Sequence, residues 1–381
     1  MELTELRDQI DSIDRELVEL FKRRMNVSAQ VAEYKRRTGM NVLDSSRERA
    51  LLNKVSELSG EEFEEYTRTL YATILDLSRS YQHKKLGDTS SLYSEITDAL
   101  ENTPKLFPER AMVACQGVEG AYSQIAAERL FSAPNIMFFS DWEKVFSAIE
   151  AGMCRYGVIP IENSTAGSVK KVYDVMISRN FKIVRTVRIK IDHNLLAKAG
   201  TRLEDIKEIY SHEQAINQCA AFLSSLGPDV KITRVENTAM AAKAVAESQR
   251  RDVASLSSRT CAAQYGLKIV ASSVQDNGNN HTRFICITNN LEVYPGADRT
   301  TLMLVTPHKP GALYRILSRF NSLGINLLKL ESRPIPDRDF EFMFYFDLEA
   351  PVYSQKFAQL LAELERECDE FTYLGTYLEV I

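Results

Sequence analysis

Charged and polar side chains occupy several places in the first part of the chain where the residue pattern calls for an apolar one. Residues 3–34 space their apolar side chains by three and four, and Arg24 takes one position in that series. An unpaired buried guanidinium costs several kcal/mol, so Arg24 needs a polar partner. Ser78 and Gln82 likewise replace apolar residues on an inward row of a later helix. Such residues at inward positions indicate a polar pocket among helices.

Further charged residues surround this predicted pocket, and they are Arg7, Lys35, Asp44, Arg47 and Glu48. Cations, carboxylates, a hydroxyl and a neutral amide together suit a small dianion that also carries a hydroxyl group. A second interpretation is an interhelical ion pair at Arg24 with a solvated edge at Ser78 and Gln82. The pattern alone leaves both interpretations open.

Two polar stretches in the middle of the chain each adjoin an apolar strand. The strand YGVIPI runs into residues 162–168, ENSTAGS, before a helix expected to begin near Val169. Hydroxyls and amides at a helix N-terminus form a natural anion site. The second stretch, residues 276–284, reads DNGNNHTRF and leads into the strand FICIT. Taken separately, each stretch is also typical of an ordinary turn or polar loop.

Two further motifs lie in residues 297–381. ProGlyAlaLeuTyr, residues 310–314, stands at a predicted strand-to-helix turn, and GluSerArgPro, residues 331–334, ends the next strand. Gly311 permits a tight turn, and the following helix start presents free backbone N–H groups to a carboxylate. This segment has no cluster of nucleophile and base, which favours a sensor over a catalyst.

The elements that must position these residues fall into segments with different periodicities. Residues 1–86 are predicted to be all-helical, with a first helix ended by Gly39 and capping boxes at Ser45 with Glu48 and at Ser59 with Glu62. At 1.5 Å per residue the first helix would be about 50 Å long, too long for this segment to bury alone. We therefore expect a second copy of the chain as a partner.

The rest of the chain is predicted to comprise a linker and two further domains. Residues 87–108 form the expected linker, with a short helix at about 92–100. Over 109–290, short apolar strands alternate with amphipathic helices, which predicts an α/β domain with largely parallel sheets. Residues 297–381 spell βαββαβ, an α+β ferredoxin-like module.

Composition limits the class of protein. The chain has 381 residues, 44% hydrophobic and 26% charged, with a formal net charge of −5. This length predicts two to four domains, and the weak acidity argues against a nucleic-acid partner. No apolar run reaches the ~20 residues of a membrane span, and the N-terminus lacks the apolar core of a signal peptide. Six cysteines without a CxxC pair indicate reduced thiols, a cytoplasmic location and no metal site, and no cofactor is expected.

The helical segment resembles the all-helical chorismate mutases that are fused to bacterial prephenate dehydratases. The resemblance rests on the runs LRDQIDSIDRELVELFKRRMNVSAQVAEYK, DSSRERALL and SRSYQ. The positions that carry the family's site hold the expected residues, which are Arg7, Arg24, Lys35, Asp44, Arg47, Glu48, Ser78 and Gln82. The resemblance implies a rearrangement of chorismate to prephenate, without covalent intermediate or cofactor. It also implies a domain-swapped homodimer or higher homo-oligomer.

The resemblance also implies roles for these side chains. Arg7 and Arg24 would bind the two carboxylates, with Ser78 beside one of them. Lys35 and Gln82 would stabilise charge on the ether oxygen. Asp44 and Glu48 would hold the ring hydroxyl end, and Arg7 would come from the partner copy.

The α/β segment resembles the prephenate dehydratases. Their motifs appear here as Gly117–Ser123, Pro160–Gly167, Tyr210–Ala215 and Asn280–Phe284. The resemblance implies two periplasmic-binding-protein-like lobes around a cleft, with the chain crossing near residue 190 and returning near 260. Ala121 departs from the family, which usually has Thr there.

In that cleft prephenate would lose its carboxylate and hydroxyl to give phenylpyruvate, CO2 and water. The resemblance implies that Thr282 assists the departing hydroxyl and that Arg283 anchors a carboxylate. The other implied wall residues are Glu162, Asn163, Ser164 and Asn280. A lone loop histidine, His281, is more readily interpreted as a bystander.

The C-terminal motifs resemble those of ACT domains. The resemblance implies feedback inhibition by L-Phe in phenylalanine biosynthesis, with the effector bound between modules of paired subunits. The implied effector-binding residues are Gly311, Ala312, Leu313, Glu331, Ser332 and Arg333. The alternative function is a catalytically silent amino-acid or dicarboxylate sensor, because two-lobed α/β cores also serve as binding proteins.

Overall fold

The structure is a computed structural model that describes residues 2–86, 91–336, 338–339 and 341–380. The chain divides into two compact units, Met1–Ser91 and Leu92–Ile381. Residues 87–90, the first part of the expected linker, lie outside the described residues. Among the described residues, no helix has the length and apolar character needed to span a bilayer.

The first unit consists of two long helices, α1 (Leu3–Thr38) and α2 (Ser45–Leu86). Gly39 ends α1 with φ 68°, as the sequence predicts, because a glycine adopts this left-handed conformation without Cβ strain. Gly60, at φ 69° and ψ 168°, divides α2 into the two helical segments that the capping boxes predict. The side chain that caps α2 is not Ser45 but Asp44, whose Oδ1 accepts from the Arg47 N–H at 2.9 Å.

The apolar stripe of α1 is uncovered in the single chain. Its side chains are all exposed, and they include Leu3, Leu6, Ile10, Ile13, Leu17, Leu20, Val27, Val31 and Tyr34. A contiguous apolar face of this length is typical of a helix whose partner is another chain.

The next helix is α3 (Ser91–Asn102), which belongs to the second unit from Leu92 onwards and is longer than the helix expected at 92–100. Leu92, Ile96 and Ala99 are buried against residues of the C-terminal module, so this segment belongs to the packed unit rather than to a free linker. The i, i+4, i+7 spacing of these three residues indicates a helix with one buried face, but the polar residues around them made that pattern hard to recognise in the sequence.

The remaining elements of the second unit follow in chain order. The first group is β1 (Met112–Gln116), α4 (Tyr122–Leu130), β2 (Asn135–Phe139), α5 (Trp142–Glu150), β3 (Tyr156–Asn163), β4 (Gly167–Ser168), α6 (Lys170–Ile177) and β5 (Lys182–Lys190). The second group is β6 (Asn194–Ala197), a 3-10 turn (Leu203–Asp205), β7 (Glu208–Ser211), α7 (Glu213–Gln218), α8 (Ala220–Ser225), β8 (Lys231–Arg234), α9 (Thr238–Glu247), β9 (Val253–Ser257), α10 (Arg259–Gln264) and β10 (Lys268–Ala271). The third group is β11 (His281–Thr288), β12 (Arg299–Val305), α11 (Ala312–Ser322), β13 (Asn326–Pro334), β14 (Phe342–Glu349), α12 (Gln355–Glu367) and β15 (Glu370–Val380).

Two lobes form the α/β part of this unit. The first lobe contains the strand order β5-β11-β3-β1-β2, and the second is the five-stranded sheet β10-β6-β9-β7-β8. Both sheets are mixed, which corrects the expectation of largely parallel sheets. Pairs such as β1 with β3 and β7 with β9 are parallel, whereas β11 pairs antiparallel with both β3 and β5. The antiparallel pairs arise because the chain leaves the first lobe after β5 and re-enters it as β11.

The return crossing lies later than the sequence suggests. We expected it near residue 260, but α10 and β10 still belong to the second lobe, where β10 pairs antiparallel with β6. The chain therefore returns through the residues between Ala271 and His281. Short apolar strands give no sign of which sheet they join, which explains the error.

The C-terminal module has the predicted βαββαβ topology, with strand order β13-β14-β12-β15. Its last strand, β15, also pairs in parallel with β5, so the module's sheet continues into the sheet of the first lobe. Gly375 lies at this junction with φ 137°, and a Cβ there would clash with the backbone carbonyl oxygen of Ile183.

We therefore expect Gly375→Ala to lower the free energy of unfolding of the second unit by roughly 2 kcal/mol or more, because the backbone conformation and the carbonyl both exclude a side chain. The matched control is Gly278→Ala, where a Cβ would meet open space at an ordinary φ. Thermal or urea unfolding of the full chain measures both. Equal melting temperatures for the two variants would contradict the close junction.

Candidate active sites

The helical unit brings part of the predicted mutase pocket together. Arg24 donates to the Ser78 hydroxyl at 2.5 Å, and Gln82 Nε2 donates to the Ser28 hydroxyl at 3.1 Å. Ser78 and Gln82 are buried at 5% and 7% exposure. Gln82 Oε1 is also buried and has no hydrogen-bond partner among the described residues. The solvated-edge interpretation of Ser78 and Gln82 is therefore wrong for this unit.

Two residues of this pocket escaped the sequence analysis. Ser28 lies four residues after Arg24 on the same face of α1, so its polar character in the apolar series was a usable signal. Arg79 forms ion pairs with Glu48 and Asp76. Glu48 thus lies beside the helical segment that carries Ser78. Lys35 is bound through Nζ to the backbone carbonyl of Val42 at 2.5 Å.

The remaining predicted mutase residues are not gathered with these. Arg7 is exposed and precedes Arg24 by 17 residues on one straight helix, which is about 25 Å. Asp44 and Arg47 are exposed at the start of α2, where Asp44 serves as the helix cap. Arg7 therefore cannot reach Arg24 within a single chain.

A cavity of about 450 Å³ lies between the two lobes of the second unit. The first lobe contributes Asn163 and Thr282 to its lining, the second lobe contributes Gln218 and Glu236, and the crossing segment contributes His193. The N-terminal ends of α6 and α9 also line it, through Val169 with its neighbours and through Asn237 with Thr238. Such helix starts favour anionic ligands.

Asn163 organises the first-lobe wall of this cleft. Its Oδ1 accepts from the Thr165 hydroxyl at 2.7 Å and from the Ala166 N–H at 2.9 Å, which fixes the orientation of the amide. Its Nδ2 then donates to Asn280 Oδ1 at 2.8 Å and to Thr282 Oγ1 at 3.0 Å. Because Thr282 accepts here, its own hydroxyl proton is available to a group in the cleft.

The same network crosses to the second lobe through Gln218. Asn280 Nδ2 donates to Gln218 Oε1 at 3.1 Å, and His193 Nε2 lies 2.9 Å from the same oxygen. An oxygen can only accept, so His193 carries its proton on Nε2. Burial lowers the pKa of His193, which keeps the imidazole neutral near pH 7. Gln218 and His193 were not predicted from the sequence, although Gln218 lies only three residues beyond the Tyr210–Ala215 motif.

Glu162 and Arg283 do not line the cleft. Arg283 forms an ion pair with Asp347 of the C-terminal module and lies 3.5 Å from Glu162. Glu162 in turn lies 3.1 Å from Lys329 of the same module. The predicted carboxylate anchor is therefore on the opposite face of the sheet from Thr282, because neighbouring residues of a strand point to opposite faces.

The loop residues around the cleft have local structural tasks. Ser164 Oγ donates to the Asn279 carbonyl at 3.1 Å and accepts from the His281 N–H at 2.9 Å, which ties the two polar stretches together. Ala121 is the N-cap residue of α4 and offers no side-chain cap. The hydroxyl that Thr would supply there is a helix cap, typically worth about 1 kcal/mol, and Ala121 is not among the residues lining the cleft.

The C-terminal module has a cavity of its own, of about 290 Å³, lined in part by Gly311, Ala312 and Leu313. Two other predicted effector residues point elsewhere. Glu331 accepts from the Ser168 hydroxyl at 2.7 Å, and Arg333 donates to Asp174 at 2.6 Å, so both contact the first lobe. Ser332, between them, is exposed.

Comparison with known proteins follows the same division of the chain. The sequence model of chorismate mutase type II matches residues 6–83, and that of prephenate dehydratase matches residues 113–292. A bifunctional chorismate mutase/prephenate dehydratase of Aquifex aeolicus is 30% identical over 377 residues, 99% of this chain and 98% of the relative. Arogenate dehydratase/prephenate dehydratase 2 of Arabidopsis thaliana is 33% identical, covering 78% of this chain and 81% of the relative.

Among solved structures, the prephenate dehydratase of Arthrobacter aurescens in complex with L-Phe is 28% identical, with a TM-score of 0.64. The match covers 70% of this chain and 90% of that one. A helical unit with a polar pocket and a bilobal unit with an amide-lined cleft define a two-site enzyme for small anionic substrates. The chain belongs to the family of bifunctional chorismate mutase/prephenate dehydratases, and both activities of phenylalanine biosynthesis are assigned to it. The alternative of a catalytically silent sensor is not favoured.

The buried amide of Gln82 generates a prediction about pH. In Gln82→Glu, only the protonated acid can donate a hydrogen bond, so mutase activity should be low at pH 7–8 and rise steadily as the pH falls towards about 5. The measurement is the rate of chorismate consumption across pH, with wild type as reference. The conservative control Ser80→Ala, two residues earlier on α2, should keep the wild-type profile. A flat profile for Gln82→Glu would remove Gln82 from the ether-oxygen role.

Proposed function

We propose that the dehydratase reaction takes place in the cleft between the lobes, with Thr282 assisting the departure of the hydroxyl. The observation that supports this most directly is the amide network in which Asn163 donates to Thr282 Oγ1 at 3.0 Å. That bond leaves the Thr282 hydroxyl proton directed to another acceptor, such as the leaving hydroxyl of prephenate. Asn280 and Gln218 hold Asn163 in place from the far side.

In the proposed reaction, prephenate loses its carboxylate as CO2 and its hydroxyl as water. The bond between the ring and its carboxylate breaks, CO2 leaves, and the electron pair enters the ring. The C–O bond at the opposite ring carbon breaks, and the departing hydroxide takes up one proton to leave as water. Aromatisation of the ring supplies the driving force, so the protein has to bind a dianion, exclude water and donate to the leaving oxygen.

The negative charges of the substrate are proposed to meet helix starts and amides. The described lining of the cleft includes no Lys or Arg side chain. The starts of α6 and α9 together with Gln214 offer N–H donors in their place. These donors are proposed to bind the carboxylate of the substrate in place of Arg283, to which the family resemblance gave that role.

Thr282→Ala should reduce phenylpyruvate formation by at least 100-fold, because it removes the proton donor without changing the fold, and it should leave chorismate rearrangement within twofold of wild type. Thr282→Ser, which keeps the hydroxyl, should retain a substantial part of the activity. Separate spectrophotometric assays of the two reactions measure this. Equal loss of both activities would contradict two separate sites.

For the mutase reaction we propose the roles that the family implies. Arg24 and Ser78 bind one carboxylate, and Lys35 and Gln82 stabilise the ether oxygen as charge develops on it. Glu48 and Asp44 hold the hydroxyl end, with Arg47 at the same rim. The contact of Arg24 with Ser78 at 2.5 Å and the burial of Ser78 and Gln82 support a preorganised polar pocket.

Arg7 is proposed to enter this pocket from a second copy of the chain. The exposed stripe of α1 supports such a copy, since it would bury the side chains from Leu3 to Tyr34 against an equivalent helix. Arg7 lies about 25 Å from Arg24 along its own helix, which excludes the same-chain pocket. A homodimer with an intertwined helical unit satisfies both observations.

Mixing two inactive variants tests this arrangement. Arg7→Ala and Arg24→Ala homodimers should each lack mutase activity, and after subunit exchange half of the dimers should hold one intact site, giving about a quarter of wild-type activity. Mixing Arg24→Ala with Lys35→Ala is the matched control, because both residues belong to the same chain's site and no activity should return. Absence of recovery in the first mixture would place Arg7 outside the partner's site.

The C-terminal module is proposed to be an ACT domain that binds L-Phe and inhibits the dehydratase more than the mutase. The cavity at Gly311, Ala312 and Leu313 and the L-Phe complex of the Arthrobacter relative support this. Domain limits of 1–86, 109–290 and 297–381 and a cytoplasmic location remain predictions of the sequence. The six cysteines are free, which is consistent with reduced thiols.

A further inference from the structure

Arg283 is held by carboxylates on the face of the first-lobe sheet opposite the cleft. Its side chain is only 10% exposed, and its partners are Asp347 on β14 and, at 3.5 Å, Glu162 on β3. Asp347 is itself buried, at 9% side-chain exposure, and accepts from the Thr301 hydroxyl at 2.7 Å. The guanidinium is thus enclosed by groups that satisfy its charge before any substrate arrives.

Glu162, like Arg283, is paired with a charged residue of the C-terminal module. Glu162, next to the cleft residue Asn163, lies 3.1 Å from Lys329 on β13. Lys329 and Glu331 both bind the hydroxyl of Ser168, at 2.8 and 2.7 Å. β3 carries the cleft residue Asn163, and β11 carries the cleft residue Thr282. Each strand therefore also places an adjacent charged residue, Glu162 or Arg283, against the C-terminal module.

The local backbone makes these side-chain contacts important for geometry. Between Arg283 and Phe284 the register against β3 shifts, because Glu162 pairs with Arg283 while Pro160 pairs with Phe284, leaving Ile161 as an extra residue. Pro160 has no N–H to give the ladder. A bulged stretch with fewer regular ladder bonds depends more strongly on side chains to hold its position.

We propose that Arg283 is a positioning residue rather than a ligand of the substrate. Its ion pair with Asp347 holds the β11 strand, and hence the hydroxyl of Thr282, in register with Asn163. The geometry of the dehydratase site then depends on a carboxylate of the C-terminal module. This inference rests on the proposed role of Thr282 in the dehydratase reaction.

The test separates binding from positioning. Arg283→Gln and Asp347→Asn are each expected to lower kcat for prephenate about tenfold with KM within twofold of wild type, since substrate contacts remain while Thr282 moves. The double variant should fall about tenfold as well, not about 100-fold, because both changes remove the same pair. Arg283→Lys, which keeps the charge, should recover part of kcat.

The matched control is Glu379→Gln. Glu379 is a buried carboxylate that pairs with Arg188 and Arg299 at the same junction, and Arg188 lies opposite Arg283 in the ladder. No cleft residue adjoins Arg188 in sequence, so kcat should stay within twofold of wild type. Melting temperature, measured on every variant, identifies any whose second unit fails to fold, and the mutase rate checks the separate helical unit.

Three results would overturn the inference. One is a rise of tenfold or more in KM for Arg283→Gln with Asp347→Asn unchanged, which would make Arg283 a substrate ligand. A second is that the kcat losses of the two single variants multiply in the double variant. The third is wild-type kinetics for Arg283→Gln. Wild-type and Thr282→Ala dehydratase rates, measured in the same series, show separately whether the assignment of Thr282 itself fails.

Discussion

The antiparallel pairing of β3 with β11, with one extra residue at Ile161, is the constraint on which both faces of the first lobe depend. Strict alternation along β3 would put Pro160 and Glu162 on one face and Asn163 on the other. The bulge changes that order, so that Pro160 and Asn163 both line the cleft while Glu162 faces the C-terminal module. A single inserted residue thus decides which polar side chains line the cleft.

The two candidate sites offer different physical means of binding small anions. The helical unit offers the guanidinium of Arg24, which contacts the buried hydroxyl of Ser78, and the proposed pocket takes further positive charge from Arg7 of a second copy of the chain. The bilobal cleft offers amides and helix starts, whose partial charges need no counter-ion when the site is empty. This difference reconciles an acidic protein of net charge −5 with dianionic substrates.

Local patterns predicted the elements well, and pairing between distant segments set the limit. Gly39, the division of α2 and the βαββαβ order of the C-terminal module all follow from periodicity and caps. The return crossing after Ala271 and the mixed sheets could not be foreseen, because an apolar strand does not reveal its neighbour. The motif that ends in ThrArgPhe places Thr282 in the lining of the cleft but not Arg283, because adjacent residues of a strand point to opposite faces of the sheet.

The ion pair between Arg283 and Asp347 is a poor source of stability, which bears on why it is there. Desolvating two charges in a buried position offsets most of their attraction, and well-packed apolar residues often serve equally well. Removing one partner alone, however, leaves a buried charge and typically costs about 3–5 kcal/mol. Such a pair therefore penalises displacement more than it rewards folding. Thr282 precedes Arg283 on β11, opposite the bulge in β3. In the proposed mechanism, resistance to displacement there matters more than added stability, because a hydroxyl displaced by about 1 Å loses much of its effect on a reacting bond.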